Sequence, residues 1–295
     1  MNEFKTYHPI VNFTYFIFVI TFSCFLMHPV CLGISLACAF TYSVVLKGKK
    51  AIKTNLMYML PMVIVMALIN PLFNHEGVTV IAYLPSGNPL TLESVIYGIC
   101  AAVMIVSVIC YFSCYNEVMT SDKFIYLFGR IIPAMSLIIS MTLRFVPKFV
   151  LQLKTVTNVQ RSIGRDIRKG SILKRFKCAL NILSITTTWS LENAIETADS
   201  MKSRGYGIAG RTAFSIFKFD KRDKKALVYI LVLGMYTFLG NLVGGMYFRH
   251  FPYVKAAKIT PFGISVFIAY ALLCICPVII EFWEVRKWKV IRSKI

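Results

Sequence analysis

The stretch Ser94–Tyr115 reads SVIYGICAAVMIVSVICYFSCY. None of its 22 residues is Asp, Glu, Lys, Arg or His. A bilayer core is spanned by about 20 apolar residues in a helix that rises about 1.5 Å per residue. This run is therefore read as a membrane-spanning helix. Five further runs read the same way: Val11–Met27, Pro29–Leu46, Asn55–Leu72, Ala226–Phe248 and Phe262–Ile280. The first two are separated by a tight Met27-His28-Pro29 turn. All six lack ionisable side chains. Ion-coupled transport and intramembrane catalysis use such groups at membrane depth. A proton relay or hydrolytic centre inside the spans is thus not expected.

The whole chain of 295 residues is 57% hydrophobic and carries 33 Lys+Arg against 13 Asp+Glu, a net charge of +20. Its mean hydropathy is +0.66. Soluble domains are about 45–50% apolar, and a surplus of this size would leave large greasy patches in water. Aromatic residues at 14% and charged residues at 16% exclude disorder. The expected class is an all-α integral membrane protein with about six spanning helices. Three segments are expected: spans one to four in 1–115, a cytoplasmic insert in 116–225, and spans five and six with a basic tail in 226–295. With both termini in the cytoplasm, 30 of the 33 basic residues fall inside and only Arg249, Lys255 and Lys258 fall outside. That matches the positive-inside rule.

No cleavable signal peptide is expected, because the first apolar run lacks a small-residue cleavage site and a second run follows at once. Nine cysteines occur, mostly in apolar runs and without a paired His. They read as small apolar filler, with no metal site. The outer loop 73–92 pairs a β-branched run, Val78-Thr79-Val80-Ile81, with the breakers Pro85-Ser86-Gly87-Asn88-Pro89. It reads as a short hairpin or cap. Gly240, Gly244 and Gly245 are expected to permit close helix packing.

The insert divides into three helical stretches. Asp122–Ile132 follows Thr120-Ser121 and carries Phe124, Leu127, Phe128 and Ile131 at helical spacing, a pattern suited to the membrane interface. The second runs from about Pro133 to Gly164, with Phe149, Leu153, Val156 and Ile163 on one face and Pro147 as a kink point. The third runs from about Leu173 to Arg204. Its expected inner face is Phe176, Leu180, Leu183, Thr187, Ala194, Ala198 and Met201. Small residues at Ser184, Thr186–Thr188 and Ser190 would let another helix cross closely, and Glu192, Glu196 and Asp199 read as a solvated strip. The dense basic turn Arg165–Lys177 lacks the aromatic interleaving of a nucleic-acid surface. Anionic lipid or an acidic protein face is the simpler partner.

Both long helices close alike, with Gln160-Arg161-Ser162-Ile163-Gly164 and with Ser203-Arg204-Gly205-Tyr206-Gly207. Each places an Arg beside a small residue and a Gly able to cap the helix. Alone, each is ordinary helix-end chemistry. Together, two exposed Arg could form two plugs for acidic surfaces, since the guanidinium binds carboxylates bidentately.

At these residues the chain resembles the transmembrane T component of energy-coupling factor (ECF) transporters, importers of vitamins and transition-metal ions. The likeness is carried by Asn70-Pro71-Leu72-Phe73-Asn74-His75-Glu76-Gly77, by Ser140-Met141-Thr142-Leu143-Arg144-Phe145-Val146-Pro147, and by Ala198-Asp199-Ser200-Met201-Lys202-Ser203-Arg204-Gly205-Tyr206-Gly207. His8-Pro9 fits the family's opening, while Asn12 stands where many members have Lys. The resemblance implies a non-catalytic coupling subunit without cofactor. It implies two cytoplasmic ATPases, each docked by the Arg of one signature: Gln160-Arg161-Ser162 and Ser203-Arg204-Gly205. It also implies a substrate-binding membrane S component that ATP-driven motion would tilt. No Gly-x-x-x-x-Gly-Lys-Ser/Thr loop is present in the chain. The alternative is a self-sufficient secondary transporter, which would need polar groups such as Asn70 and Ser107 around a cavity. A membrane enzyme would need His pairs at ligand spacing, and His8, His28, His75 and His250 provide none. A bacterial or archaeal cell membrane is the expected location.

Overall fold

The computed structural model describes residues 3–83, 89–129, 132–168, 170–206, 208, 217–256 and 260–292. The chain forms two compact units, one of Met1–Lys123 with Phe217–Ile295 and one of Phe124–Ile216.

The first unit is a bundle of helices α1 (Pro9–Phe25), α2 (Pro29–Lys47), α3 (Lys49–Phe73), α4 (Leu92–Val118), and, after the second unit, α8 (Lys221–Leu242) and α9 (Pro261–Arg292). Helix α5 (Ser121–Gly129) leads out of it. Among the described residues five helices are long and apolar enough to cross a membrane, namely α2, α3, α4, α8 and α9. The 17-residue α1 is apolar but shorter. The chain is an all-α, multi-pass membrane protein.

Several boundaries differ from expectation: α3 begins at Lys49 rather than Asn55 and α8 at Lys221 rather than Ala226, and two helix ends shift as well. The fifth span was expected to reach Phe248, but α8 stops at Leu242 because Gly244 turns the backbone to φ +88°. Gly244 is thus a turn residue rather than a packing one. Gly240 does serve packing, since a Cβ there would lie 2.5 Å from Val266 Cγ2 of α9. Helix α9 continues twelve residues beyond the expected Ile280, carrying its charged end as helix to Arg292. The hairpin expected in loop 73–92 is present as β1 (Val80–Tyr83) antiparallel to β2 (Pro89–Thr91). Its tip, Pro85-Ser86-Gly87-Asn88, lies outside the described residues. A second small pair, β3 (Phe248–Arg249) with β4 (Lys255–Ala256), was not anticipated.

Each of the two His-Pro dipeptides starts a helix. Pro9 and Pro29 occupy the first helical turn, where a missing N–H costs nothing. His8 Nδ1 accepts from the Ile10 N–H at 3.3 Å, and His28 Nδ1 accepts from Val30 at 3.2 Å. Burial pushes both imidazoles down from their ordinary value, which keeps Nδ1 able to accept.

The core centres on α1, with Val11, Tyr15, Phe16 and Val19 buried against Tyr42, Tyr111 and Tyr270. Most buried hydroxyls find partners there: Tyr15 donates to Cys274 O (2.9 Å), Tyr111 donates to Ser35 O (3.2 Å), and Ser23 pairs with Ser35 (2.6 Å), whereas the Tyr42 hydroxyl has none among the described residues. One end of the bundle is closed by polar groups. Glu281 accepts from the Glu3 N–H (2.8 Å), and Asp223 accepts from His8 (3.1 Å) and Asp220 (3.1 Å) N–H groups. Asn12 is fully buried. Its amide donates to Phe4 O (3.1 Å) and accepts from Lys123 Nζ (2.8 Å). Lys123, pushed down to about 8 by burial, also donates to Lys5 O.

Candidate functional site

The second unit holds α6 (Pro133–Ser162) and α7 (Ile172–Ser203), with helix bounds within two residues of expectation. The two pack as an antiparallel hairpin. Val156 of late α6 meets Cys178 and Ile182 of early α7. At the other end, Leu137, Met141 and Phe145 of early α6 face Thr197, Met201 and Arg204 of late α7 across one cleft.

Phe149, Leu153 and Val156 lie on the inner face of α6, as expected. Ile163 does not: it is 66% exposed, and Gln160 is buried in its place. Helix α7 is rotated from the expected face. Its buried residues are Cys178, Ile182 and Thr186, at i, i+4 and i+8. Phe176, Leu180 and Leu183 are 63%, 47% and 53% exposed. Thr187, Ala194 and Ala198 are also exposed, and only Met201 of the expected set turns partly inward. The inner stripe combines Cys178 and Ile182 with the hydroxyl-bearing Thr186. Its hydroxyls are satisfied within the helix: Thr186 donates to Ile182 O (2.7 Å), Ser190 to Thr186 O (2.8 Å) and Thr197 to Asn193 O (2.6 Å).

Both helices end in the same backbone motif. At the first end, Arg165 N–H donates to Gln160 O (2.9 Å) and Gly164 N–H to Arg161 O (3.0 Å), with Gly164 at φ +83°. At the second, Tyr206 N–H donates to Met201 O (3.0 Å) and Gly205 N–H to Lys202 O (2.9 Å), with Gly205 at φ +74°. These are Schellman caps, whose left-handed residue favours Gly. Ser162 and Ser203 each bond back to the carbonyl four residues earlier, at Asn158 (3.1 Å) and Asp199 (2.8 Å).

Aligning the caps offsets the two arginines. Gln160-Arg161-Ser162-Ile163-Gly164 matches Met201-Lys202-Ser203-Arg204-Gly205 position for position. Arg161 therefore sits in the last helical turn, where Lys202 sits at the other end, and Arg204 is the cap residue itself.

Their surroundings differ too. Arg161 Nε lies 3.5 Å from Asp166 Oδ2. Asp166 also accepts from the Arg168 N–H (3.0 Å), and Arg175 Nε donates to Ile167 O (2.7 Å), folding the basic turn onto itself. Asp166 was missed from the sequence, although it is the sole acid between Asp122 and Glu192. Gln160 Oε1 is buried without a hydrogen-bond partner. Arg204 forms no ion pair among the described residues. It lines a cleft of about 480 Å³ with Arg144, Lys148, Glu196, Ser200 and Tyr206. Three cations against one carboxylate give the described lining of this cleft a net positive charge. Among the described residues no cluster of three or more His, Cys, Asp or Glu could hold a metal ion.

No family model matches the chain. It is 40% identical over 99 residues to the energy-coupling factor transporter transmembrane protein EcfT of Lactobacillus helveticus, covering 33% of this chain and 36% of that protein. The EcfT of Lactococcus lactis subsp. cremoris is 32% identical over 110 residues, 37% of this chain and 41% of that protein. The EcfT of Bacillus selenitireducens is 30% identical over 112 residues, 38% and 42% respectively. The matches thus span about two fifths or less of those relatives' length. Over about a third of its own length, the chain is similar to the transmembrane T components of ECF transporters.

Proposed function

We propose that this chain is the non-catalytic transmembrane coupling subunit of an ECF-type importer, with ATP hydrolysis carried out by partner subunits. Two cytoplasmic ATPases dock on the hairpin, one at Gln160-Arg161-Ser162 and one at Ser203-Arg204-Gly205. A substrate-binding S component for a vitamin or metal ion completes the complex in a bacterial or archaeal membrane. Both termini are cytoplasmic, which agrees with the placement of 30 of 33 basic residues.

The observation that carries this reading is the pair of matching caps at opposite ends of one hairpin. Helix α7 has 32 residues, and a rise of 1.5 Å per residue separates the ends by about 48 Å. That distance allows two separate globular partners to dock side by side. When ATP draws the partners together, the hairpin ends are pushed relative to each other, and packed helices transmit such motion as small rigid shifts. A self-sufficient secondary transporter finds less support. The Tyr15, Tyr111 and Ser107 hydroxyls of the bundle are bonded to backbone and that of Ser23 to Ser35, so Ser107 in particular is not free to line a transport path.

The test is uptake by cells expressing Arg161→Glu, Arg204→Glu or both, with insertion checked separately. Reversing a docked charge costs about 2–5 kcal/mol. Uptake is expected to fall below detection in the double variant while the protein still inserts. Normal uptake in that variant would overturn the proposal.

A further inference from the structure

A groove of about 430 Å³ lies in the first unit, between the start of α8 and the far part of α9. Its lining changes character along its length. Lys221, Arg222 and Lys225 of α8 and Lys287 of α9 form one end, while Ala226, Cys276, Ile279 and Ile280 form the other. From Lys221 to Tyr229 the helix rises about 12 Å, so charge gives way to apolar surface within the depth of a lipid headgroup region.

The cations are partly held in place. The Arg222 guanidinium lies 4.3 Å from the Tyr7 ring centre and donates to Thr6 Oγ1 at 3.2 Å. Lys287 Nζ sits 4.7 Å over Trp283 and 3.7 Å from Glu284. Glu284 is the groove's sole carboxylate. The neighbouring Asp223 is buried and accepts from the His8 and Asp220 N–H groups, on the inner side of α8. Four cations against one acid thus face the opening.

The groove also meets the surface that spans present to lipid. Trp283 is 64% exposed, and Tyr229, Val228, Val232 and Phe282 are exposed around it. Trp and Tyr favour the membrane–water interface. A soluble anion would use the charged end alone and leave the apolar end empty. An acidic peptide would have to lie on the lipid-facing side of two spans.

From this gradation we infer that the groove binds one anionic phospholipid, its phosphodiester among Lys221, Arg222, Lys225 and Lys287 and one acyl chain along Ala226, Cys276 and Ile280. The inference does not rest on the coupling role proposed above. Bound there, the lipid would tie the start of α8 to the end of α9 and to the N-terminal segment at Tyr7.

Native mass spectrometry of the full chain, released from nanodiscs of phosphatidylglycerol and phosphatidylcholine with matched acyl chains, tests it. The wild type should retain one phosphatidylglycerol in preference to phosphatidylcholine. A basic residue near the surface is worth about fivefold in anionic-lipid binding, so Lys221→Gln with Lys225→Gln should lower retention by about twentyfold or more. Both side chains are exposed, so the fold should persist. Ile280→Trp, which fills the apolar end without changing charge, should also expel the lipid. Lys49→Gln with Lys53→Gln, an equal charge loss elsewhere, should leave retention unchanged. Equal retention of the two lipids, equal loss in the control pair, or displacement by inorganic phosphate at millimolar concentration would overturn the inference, the last by identifying a free-anion site.

Discussion

The ends of α6 and α7 share a backbone and differ in what it presents. Residues Ile163 and Arg204, equivalent in the two caps, have nearly the same angles, φ −85°, ψ 7° and φ −83°, ψ 9°. Yet one end offers an Arg in the last helical turn, drawn towards Asp166, and the other an Arg at the cap itself, beside Arg144 and Lys148. The cap is thus a repeated mount, and the charge on it is placed separately at each end. Two ends that look alike as Arg beside a small residue are two different surfaces.

The largest expected effect comes from erasing that offset. Lys202→Arg with Arg204→Ser moves the guanidinium to the position Arg161 holds, at constant cap. If the partner reads the cap position, affinity at this end should fall about thirtyfold or more, as for a lost charged contact of 2 kcal/mol or above. Unchanged ATPase binding would mean that the charge at the cap position is not needed and a guanidinium in the last helical turn serves equally well. Next come the mounts themselves. Gly164→Ala and Gly205→Ala force a Cβ into left-handed backbone at a cost of about 1–2 kcal/mol each. Gly205 should be the more sensitive, because its added Cβ would lie 3.1 Å from Ile208 Cδ1, whereas Gly164 has open space. Hydrogen exchange at the last turn of each helix reads both losses, and equal fraying would remove this distinction.

A smaller effect of opposite sign is expected at Gln160. Its cap equivalent is Met201, and a buried acceptor without a partner costs about 1–3 kcal/mol. Gln160→Met should therefore slow exchange across 153–162 by a factor corresponding to about 1 kcal/mol. Faster exchange would show that the amide is satisfied. The smallest effect belongs to Asp166→Asn. With the Arg161 side chain 64% exposed the pair is open to solvent on one side and contributes about 0–1 kcal/mol, so binding at the first end should change by less than about fivefold. Its salt dependence should shift towards that of the second end, where Arg204 has no ion pair among the described residues.

The helices were legible because their signals are local. Pro9 and Pro29 start helices, Gly164 and Gly205 end them, and uninterrupted apolar runs fix the spans. The inner face of α7 was not legible. Hydrophobic periodicity marks which positions are apolar, not which of two apolar stripes meets the neighbouring helix. In α7 the large apolar residues Phe176, Leu180 and Leu183 point outward, and Cys178, Ile182 and Thr186 pack inward. Two stripes of α7 carry apolar residues, and the pattern of hydrophobicity alone does not choose between them. Likewise Lys123, Asp223 and Glu281 read as ordinary charged residues beside spans. Their burial depends on backbone donors and acceptors in residues 3–8 that meet them only in the folded bundle. The two Arg signatures were visible as motifs, whereas their offset within the caps needed the backbone hydrogen bonds.

The most direct measurement is the number of ATPase subunits that co-purify with the chain in mild detergent. Docking through both ends predicts two for the wild type, one for Arg161→Glu, one for Arg204→Glu and none for the double variant. Two ATPases retained by the double variant, or both lost in either single variant while the other Arg is intact, would contradict independent docking by these two arginines.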